Sequence, residues 1–353
     1  MPRGRTALAL GLAALLAAGF LAVFVGPGGH SGGVSAAPAS ASAGAPALAT
    51  YSEQAPHVAS ILNAYGVEGG VRGESGNPAD PLPPVSAAAF AAPVAAYERF
   101  SVRQLQSMQP DIAQLQAALA AGNRGAAEAA WRSAYADYLE LGGVYLEGPV
   151  ASLNQAIDGT PGGLPGGVAS RRFTGLHRLE YGLWTGQALA PLVPVAERLS
   201  ANVSQLARLL PGTTISPLDY ATRAHEILED AVRDLLSGTD VPWSGEGVLG
   251  TSAGLTATTE IVGTLAPLLK NREGVLPVVN TELAGLRSTL SGLAAAHGGR
   301  LPTNSELSQE QSERLDAATG QALEALAQVP GALEAAPAQA TPQIPASAAQ
   351  IDP

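Results

Sequence analysis

GLHRLEYGLW, residues 175–184, is the stretch on which the reading of this chain turns. Leu176, Leu179 and Leu183 recur at three- and four-residue spacing, the apolar rhythm of a helix face packed inward. Thr174 is placed to N-cap this helix and Gly186 to stand just past its end, which predicts about 11 helical residues. His177 and Glu180 then share a face, with Cβ atoms roughly 5–6 Å apart. An imidazole and a carboxylate so placed can converge on one metal ion. Taken alone, a His-x-x-Glu pair more often marks a surface histidine beside an acidic neighbour, because acidic helices produce the spacing by chance.

The helical rhythm continues outward in both directions. Leu105, Met108, Ile112, Leu115 and Leu119 describe an amphipathic helix with a kink predicted at Pro110, ended by Gly122-Asn123. From Gly125 a second helix carries Trp131, Tyr135, Tyr138 and Tyr145 as a core stripe, with Asp137, Glu140 and Glu147 opposite. Downstream, Pro191 to Leu210 reads as a helix, and Ser216-Pro217 opens another with an N-cap and a proline at the first helical position. Ala224, Ile227, Leu228, Ala231 and Leu235 form its buried face, and Gly238 stops it. Residues 243–254 read as a glycine-rich loop before helices near 255–270, 275–296 and 306–328. Strand alternation is nearly absent, so the fold class is all-α. Helices on either side of residue 190 suggest paired bundles, about 87–190 and 191–330.

The ends have another character. Arg3 and Arg5 precede an apolar run from Ala7 to Val25, which makes residues 1–25 an export signal or an uncleaved membrane anchor. Ala39-Ser-Ala41 and Ala41-Ser-Ala43 fit a small-x-small cleavage pattern, the route to a secreted form. Either route places the main domain outside the cytoplasmic membrane, periplasmic or extracellular. Residues 26–86 read as a flexible tether, and 331–353, rich in Ala, Pro and Gln, as a disordered tail.

Composition narrows the chemistry. There is no cysteine, hence no disulfide, no lipidated N-terminal cysteine and no thiolate ligand; a metal must be held by oxygen and nitrogen. A net charge of −11, with 30 acidic against 19 basic residues, argues against a nucleic-acid surface. The Gly159–Gly167 loop lacks the Gly-Lys-Ser/Thr ending of a phosphate-binding loop, and its prolines remove backbone donors. It reads as a spacer returning Asp158 toward the His177 helix. His225-Glu226 is not followed by the second histidine of a zincin.

FTGLHRLEYGLW, residues 173–184, closely resembles the Gly-x-His-x-x-Glu signature of the imelysin-like family, whose EfeO and EfeM branch serves bacterial iron uptake. ATRAHEILEDAVRD, residues 221–234, resembles the family's later helix, and Trp131 to Asp158 its earlier Trp…Tyr-x-Glu…Ile-Asp segment. The three matches fall in the family's order within roughly residues 90–330. The resemblance implies two related helical bundles with the His-x-x-Glu helix at the groove between them. It implies a metal site built from His177, Glu180, Glu140 and Asp158, with Glu226 in the groove. One histidine with several carboxylates suits iron and also tolerates Zn²⁺, Mn²⁺ or Cu²⁺; the resemblance selects iron. It implies as partners a membrane iron permease and a haem peroxidase of the same system, and no enzymatic activity.

Two alternatives stand beside it: an imelysin-like metallopeptidase, and a cell-surface polysaccharide or protein binding module using Arg171, Arg172 and Arg178. Read without the family, Glu140 is a solvated surface carboxylate and Asp158 caps a turn before Gly159. His225 and Glu229 read first as a helix-surface charge network with Arg223 and Arg233, and second as another metal site. The chain also departs from the family pattern. Residues 26–86 are too short and too poor in Cys, His and Met for the cupredoxin domain of EfeO-type relatives, and 243–254 lacks a Tyr-Ser-His-Thr-Asp type sequence.

Overall fold

The computed structural model describes residues 85–333 apart from 143–149, 214, 271 and 273. The export signal or anchor, most of the tether, Tyr145, Glu147 and the tail from 334 onward lie outside the described residues. Among the described residues all regular structure is helical, and no helix is long and apolar enough to cross a membrane.

A short 3₁₀ turn leads into α1 (Ala91–Ala120), which runs continuously through Pro110. Its stripe Leu105, Met108, Ile112, Leu115 and Leu119 is buried as the spacing predicts. Gly122 takes φ +71°, and the Gly122 and Asn123 amides return to the carbonyls of Leu119 and Ala118, closing the helix end. Asn123 then caps α2 (Arg124–Leu139) by accepting from the Ala126 amide, so one dipeptide ends a helix and starts the next.

After α2 come α3 (Ala151–Asp158), α4 (Gly175–Trp184) and α5 (Val193–Leu209). Next is α6 (Pro217–Asp230), capped by Ser216 as the sequence predicts, which continues as a π-helical turn, Ala231–Leu236. The chain closes with α7 (Gly247–Leu269), α8 (Val275–Ala296), α9 (Gln309–Leu326) and α10 (Gln328–Leu333).

The helices pack in two groups. In the first, α1 lies against α2 and α5, α2 against α4, and both α3 and α4 against α5. In the second, α6 packs on α7, α9 and α10, and α8 on α7 and α9. Helix α7 also lies against α1 and α2, making the seam between the groups. Packing therefore joins α5 to the helices that precede it, although it lies beyond residue 190.

One sequence expectation fails outright. The glycines at 243–254 do not make a loop: α7 begins at Gly247, and Gly247, Gly250 and Gly254 fall on one helical face. A β-carbon at Gly247 would sit 2.1 Å from the Leu235 carbonyl oxygen, at Gly250 2.8 Å from the Leu235 side chain, and at Gly254 3.2 Å from Ile227. The glycines let α7 approach α6 and its π turn closely, and that contact outweighs their poor helix propensity.

Candidate metal centre

The centre lies where α3, α4, α2 and the 237–246 connection meet. Two glycines bring α3 and α4 together. Gly159 ends α3 at φ +76°, and a β-carbon there would lie 1.8 Å from the Thr174 carbonyl oxygen. Gly175 opens α4 at φ +74°, and its β-carbon would meet the Ile157 carbonyl oxygen at 2.4 Å. Only residues without a side chain allow this approach, and it sets Asp158 beside His177. Thr174 holds the N-cap position in an extended conformation but makes no side-chain cap bond. At the other end the expectation holds: Gly186 at φ +74° and Gln187 return their amides to Leu183 and Gly182.

His177 and Glu180 are both buried, 1% and 0% exposed. His177 Nδ1 lies 3.1 Å from Glu180 Oε2. Glu180 Oε1 accepts from the Trp243 amide at 3.2 Å, the Ser244 amide at 2.8 Å and the Ser244 hydroxyl at 2.8 Å. On the far side of the ring, Nε2 lies 3.3 Å from Asp158 Oδ1 and 3.4 Å from Asp240 Oδ1. These are ion-pair distances at which neither carboxylate is aligned as a hydrogen bond, so the buried Nε2 is left without a hydrogen-bond partner. Asp158 and Asp240 are about a quarter exposed and line a cavity of about 240 Å³, with Asn154, Arg223, Asp230 and Asp234 among its other walls.

The aromatic stripe of α2 makes the back wall. Trp131 donates its indole N–H to the Leu176 carbonyl at 2.9 Å, Tyr135 stacks on Trp131, and Tyr135 meets the His177 ring edge-on at 6.0 Å. The Tyr135 hydroxyl donates to Asp240 Oδ2 at 2.8 Å. Burial works to lower the His177 pKa, but Asp158, Glu180 and Asp240 outweigh it and hold the imidazole well above its ordinary value. Burial pushes Asp240 up, against the opposing pull of His177. Without metal the ring is therefore stabilised as a cation, and an incoming cation would displace the Nε2 proton.

The sequence-derived donors divide. His177, Glu180 and Asp158 come together, and Asp240, absent from the sequence reading, joins them. Glu140 and Glu226 are elsewhere. On α2 the residue facing His177 is Tyr135; five positions on, Glu140 is turned by roughly 140° and receives a hydrogen bond from Gln104 of α1. It is only partly exposed, and burial with nearby Asp137 raises its pKa to about 6. Glu226, itself partly exposed, pairs at 2.9 Å with Arg223 of α6, which lines the same cavity as Asp158 and Asp240. His225 and Glu229 lie 3.4 Å apart, about 27% and 52% exposed, in the same charged fringe. Arg178 packs over the Phe173 and Tyr181 rings, and Arg171 and Arg172 are exposed.

Among the described residues no group of three or more His, Asp or Glu side chains stands as a ready-made metal cage. What the fold provides is a buried imidazole nitrogen facing two carboxylates that open onto solvent. That donor set fits a hard or borderline cation.

Asp240 sits in a turn whose own amide is bonded to the Asp234 carbonyl, just after the π-helical turn. A helical periodicity cannot register a π turn, and a single aspartate in a loop carries no spacing signal. A lone acid between Gly238 and the Trp243-Ser244 pair was the available clue.

Residues 93–241 match the family model described as Peptidase_M75: Imelysin, a span that ends just past Asp240. A curated relative, the Iron uptake system component EfeM of Pseudomonas syringae pv. syringae (strain B728a), is 26% identical over 136 residues, covering 37% of this chain and 48% of that protein. The chain thus spans about half the length of the curated relative it matches.

Proposed function

We propose that this imelysin-like chain, of the EfeO/EfeM type, is an extracytoplasmic iron-binding component of an iron-uptake system that hands its ion to a membrane permease. The observation that carries the reading is the buried His177 Nε2, without a hydrogen-bond partner, flanked by Asp158 and Asp240, the two carboxylates that line an open cavity. A carrier must release its ion, and carboxylates in contact with solvent allow exchange and protonation. The similarity to an iron-uptake component supports iron over Zn²⁺, Mn²⁺ or Cu²⁺, which the same donors would tolerate. A haem peroxidase of the same system is the further partner in this reading, and the apolar segment 7–25 supplies export or anchoring.

The peptidase description of the family model supplies the competing reading. It needs a carboxylate free to act as general base on a metal-bound water. Glu180 is a poor candidate, since one oxygen already accepts three donors and the other faces His177. The test is to equilibrate the purified protein with equal amounts of iron, zinc, manganese and copper, desalt it and measure the retained metals. One equivalent of iron, lost in His177→Ala, supports the carrier. Metal-dependent cleavage of a peptide library by the pure protein would replace it with the peptidase.

A further inference from the structure

We propose that Glu180 is a positioning residue that aims His177 at the ion, and not itself an ion ligand. The inference rests on the reading of the His177 cluster as the iron site and assigns roles within it. The oxygens of Glu180 are committed within the protein. Oε1 accepts the Trp243 amide, the Ser244 amide and the Ser244 hydroxyl, and Oε2 faces His177 Nδ1 at 3.1 Å. The residue is 0% exposed and does not line the cavity, whereas Asp158 and Asp240 do. To ligate an ion it would have to abandon two backbone amides in a buried place, where an unpaired donor is costly.

The open coordination sites lie on the opposite edge of the ring. With Oε2 of Glu180 set against Nδ1 at 3.1 Å, only the Nε2 edge of the ring is left for an ion. That fixes Nε2 as the metal-binding nitrogen and directs it between Asp158 and Asp240. A carboxylate–histidine–metal relay of this kind sets ring tautomer and orientation. The i, i+3 spacing of His177 and Glu180 thus builds a ligand with its brace, and Asp158 and Asp240 complete the donor set.

Zinc titration of the full chain, labelled with ¹⁵N-histidine and followed by NMR, tests the assignment. In the zinc-loaded wild type, His177 Nε2 should carry the metal-bound shift while Nδ1 keeps a slowly exchanging proton. Zinc on Nδ1, or loss of the Nδ1 proton on loading, would overturn the proposal. In Glu180→Gln the amide oxygen is drawn to the three donors of the 243–244 segment, which turns the NH₂ toward Nδ1 and forces the ring proton onto Nε2. Zinc affinity should then fall about 10- to 100-fold while helicity is kept, and Nε2 should bear the proton. A Glu180→Gln protein that binds zinc through Nε2 at wild-type affinity would overturn the proposal as well. Wild-type protein that binds neither zinc nor iron would overturn the reading of the site itself.

Discussion

The Tyr135 hydroxyl donates to Asp240 Oδ2 at 2.8 Å, leaving Oδ1 of the same carboxylate facing His177 Nε2 at 3.4 Å. A phenol on the core stripe of α2 thereby fixes an acid 105 residues away in sequence. Tyr135→Phe keeps the ring stacked on Trp131 and removes only this hydrogen bond. Iron affinity should fall about 10-fold, with a stability cost of about 1 kcal/mol. In an Asp240→Asn background the same change should have little further effect on affinity, a coupling that a double-mutant cycle in titration calorimetry would measure.

Gly159 and Gly163 share φ +76° but differ in surroundings. A β-carbon at Gly163 meets nothing within 4 Å, whereas at Gly159 it would run into the Thr174 backbone. Gly163→Ala should cost about 1 kcal/mol from the left-handed conformation alone. Gly159→Ala should cost several times more and weaken iron binding too, because relief of the clash moves Asp158 away from His177. Thermal unfolding and metal titration of the two variants side by side check this.

Asp137 carries a buried carboxylate oxygen without a partner, and burial with nearby Asp111 raises its pKa to about 6. A raised carboxylate binds more protons folded than unfolded between its ordinary value and about 6, so its contribution to stability falls as pH rises through that window. Asp137→Asn should therefore stabilise the protein at pH 7.5 by on the order of 1 kcal/mol, discounted because the group is half exposed, or about 2–4 °C. The gain should vanish near pH 4. Melting curves at the two pH values decide it.

The ligand assignment separates residues that a motif would treat alike. His177→Ala and Asp158→Asn should each lower iron affinity about 10- to 100-fold or more. Glu226→Gln and His225→Ala, in the partly exposed fringe of α6, should change it less than about 2-fold, since exposed pairs contribute little. Glu140→Gln should act on stability through Gln104 and leave the affinity in place. Equal losses at His177 and His225 would mean that the wrong helix has been chosen.

How much of this was legible in the sequence follows from the range of the interactions involved. The α1, α2, α4 and α6 stripes depend on periodicity within one helix, and Leu105 to Leu119, Trp131 to Tyr138 and Ala224 to Leu235 are buried as their spacing indicates. The cap at Ser216 and the glycine closures at Gly122 and Gly186 are similarly local. The Gly247, Gly250 and Gly254 face was misread because its helix is held by contact with Leu235 and Ile227, a tertiary effect that overrides propensity. The candidate site shows the same division. His177 and Glu180 lie within one turn of helix and Asp158 ends the preceding helix, across the 159–174 connection, whereas Asp240 reaches them only from the 237–246 connection. Glu140 was taken from a family pattern, but the helical phase of α2 turns it toward α1.

The most direct measurement is a crystal structure of the iron-loaded protein with anomalous data collected at the iron edge. The account predicts one strong anomalous peak at bonding distance from His177 Nε2, between Asp158 and Asp240, with Glu180 still bound to the Trp243 and Ser244 amides. A protein that loads iron but shows its peak elsewhere, beside Glu140 and Asp137 or between His225 and Glu229, would contradict it.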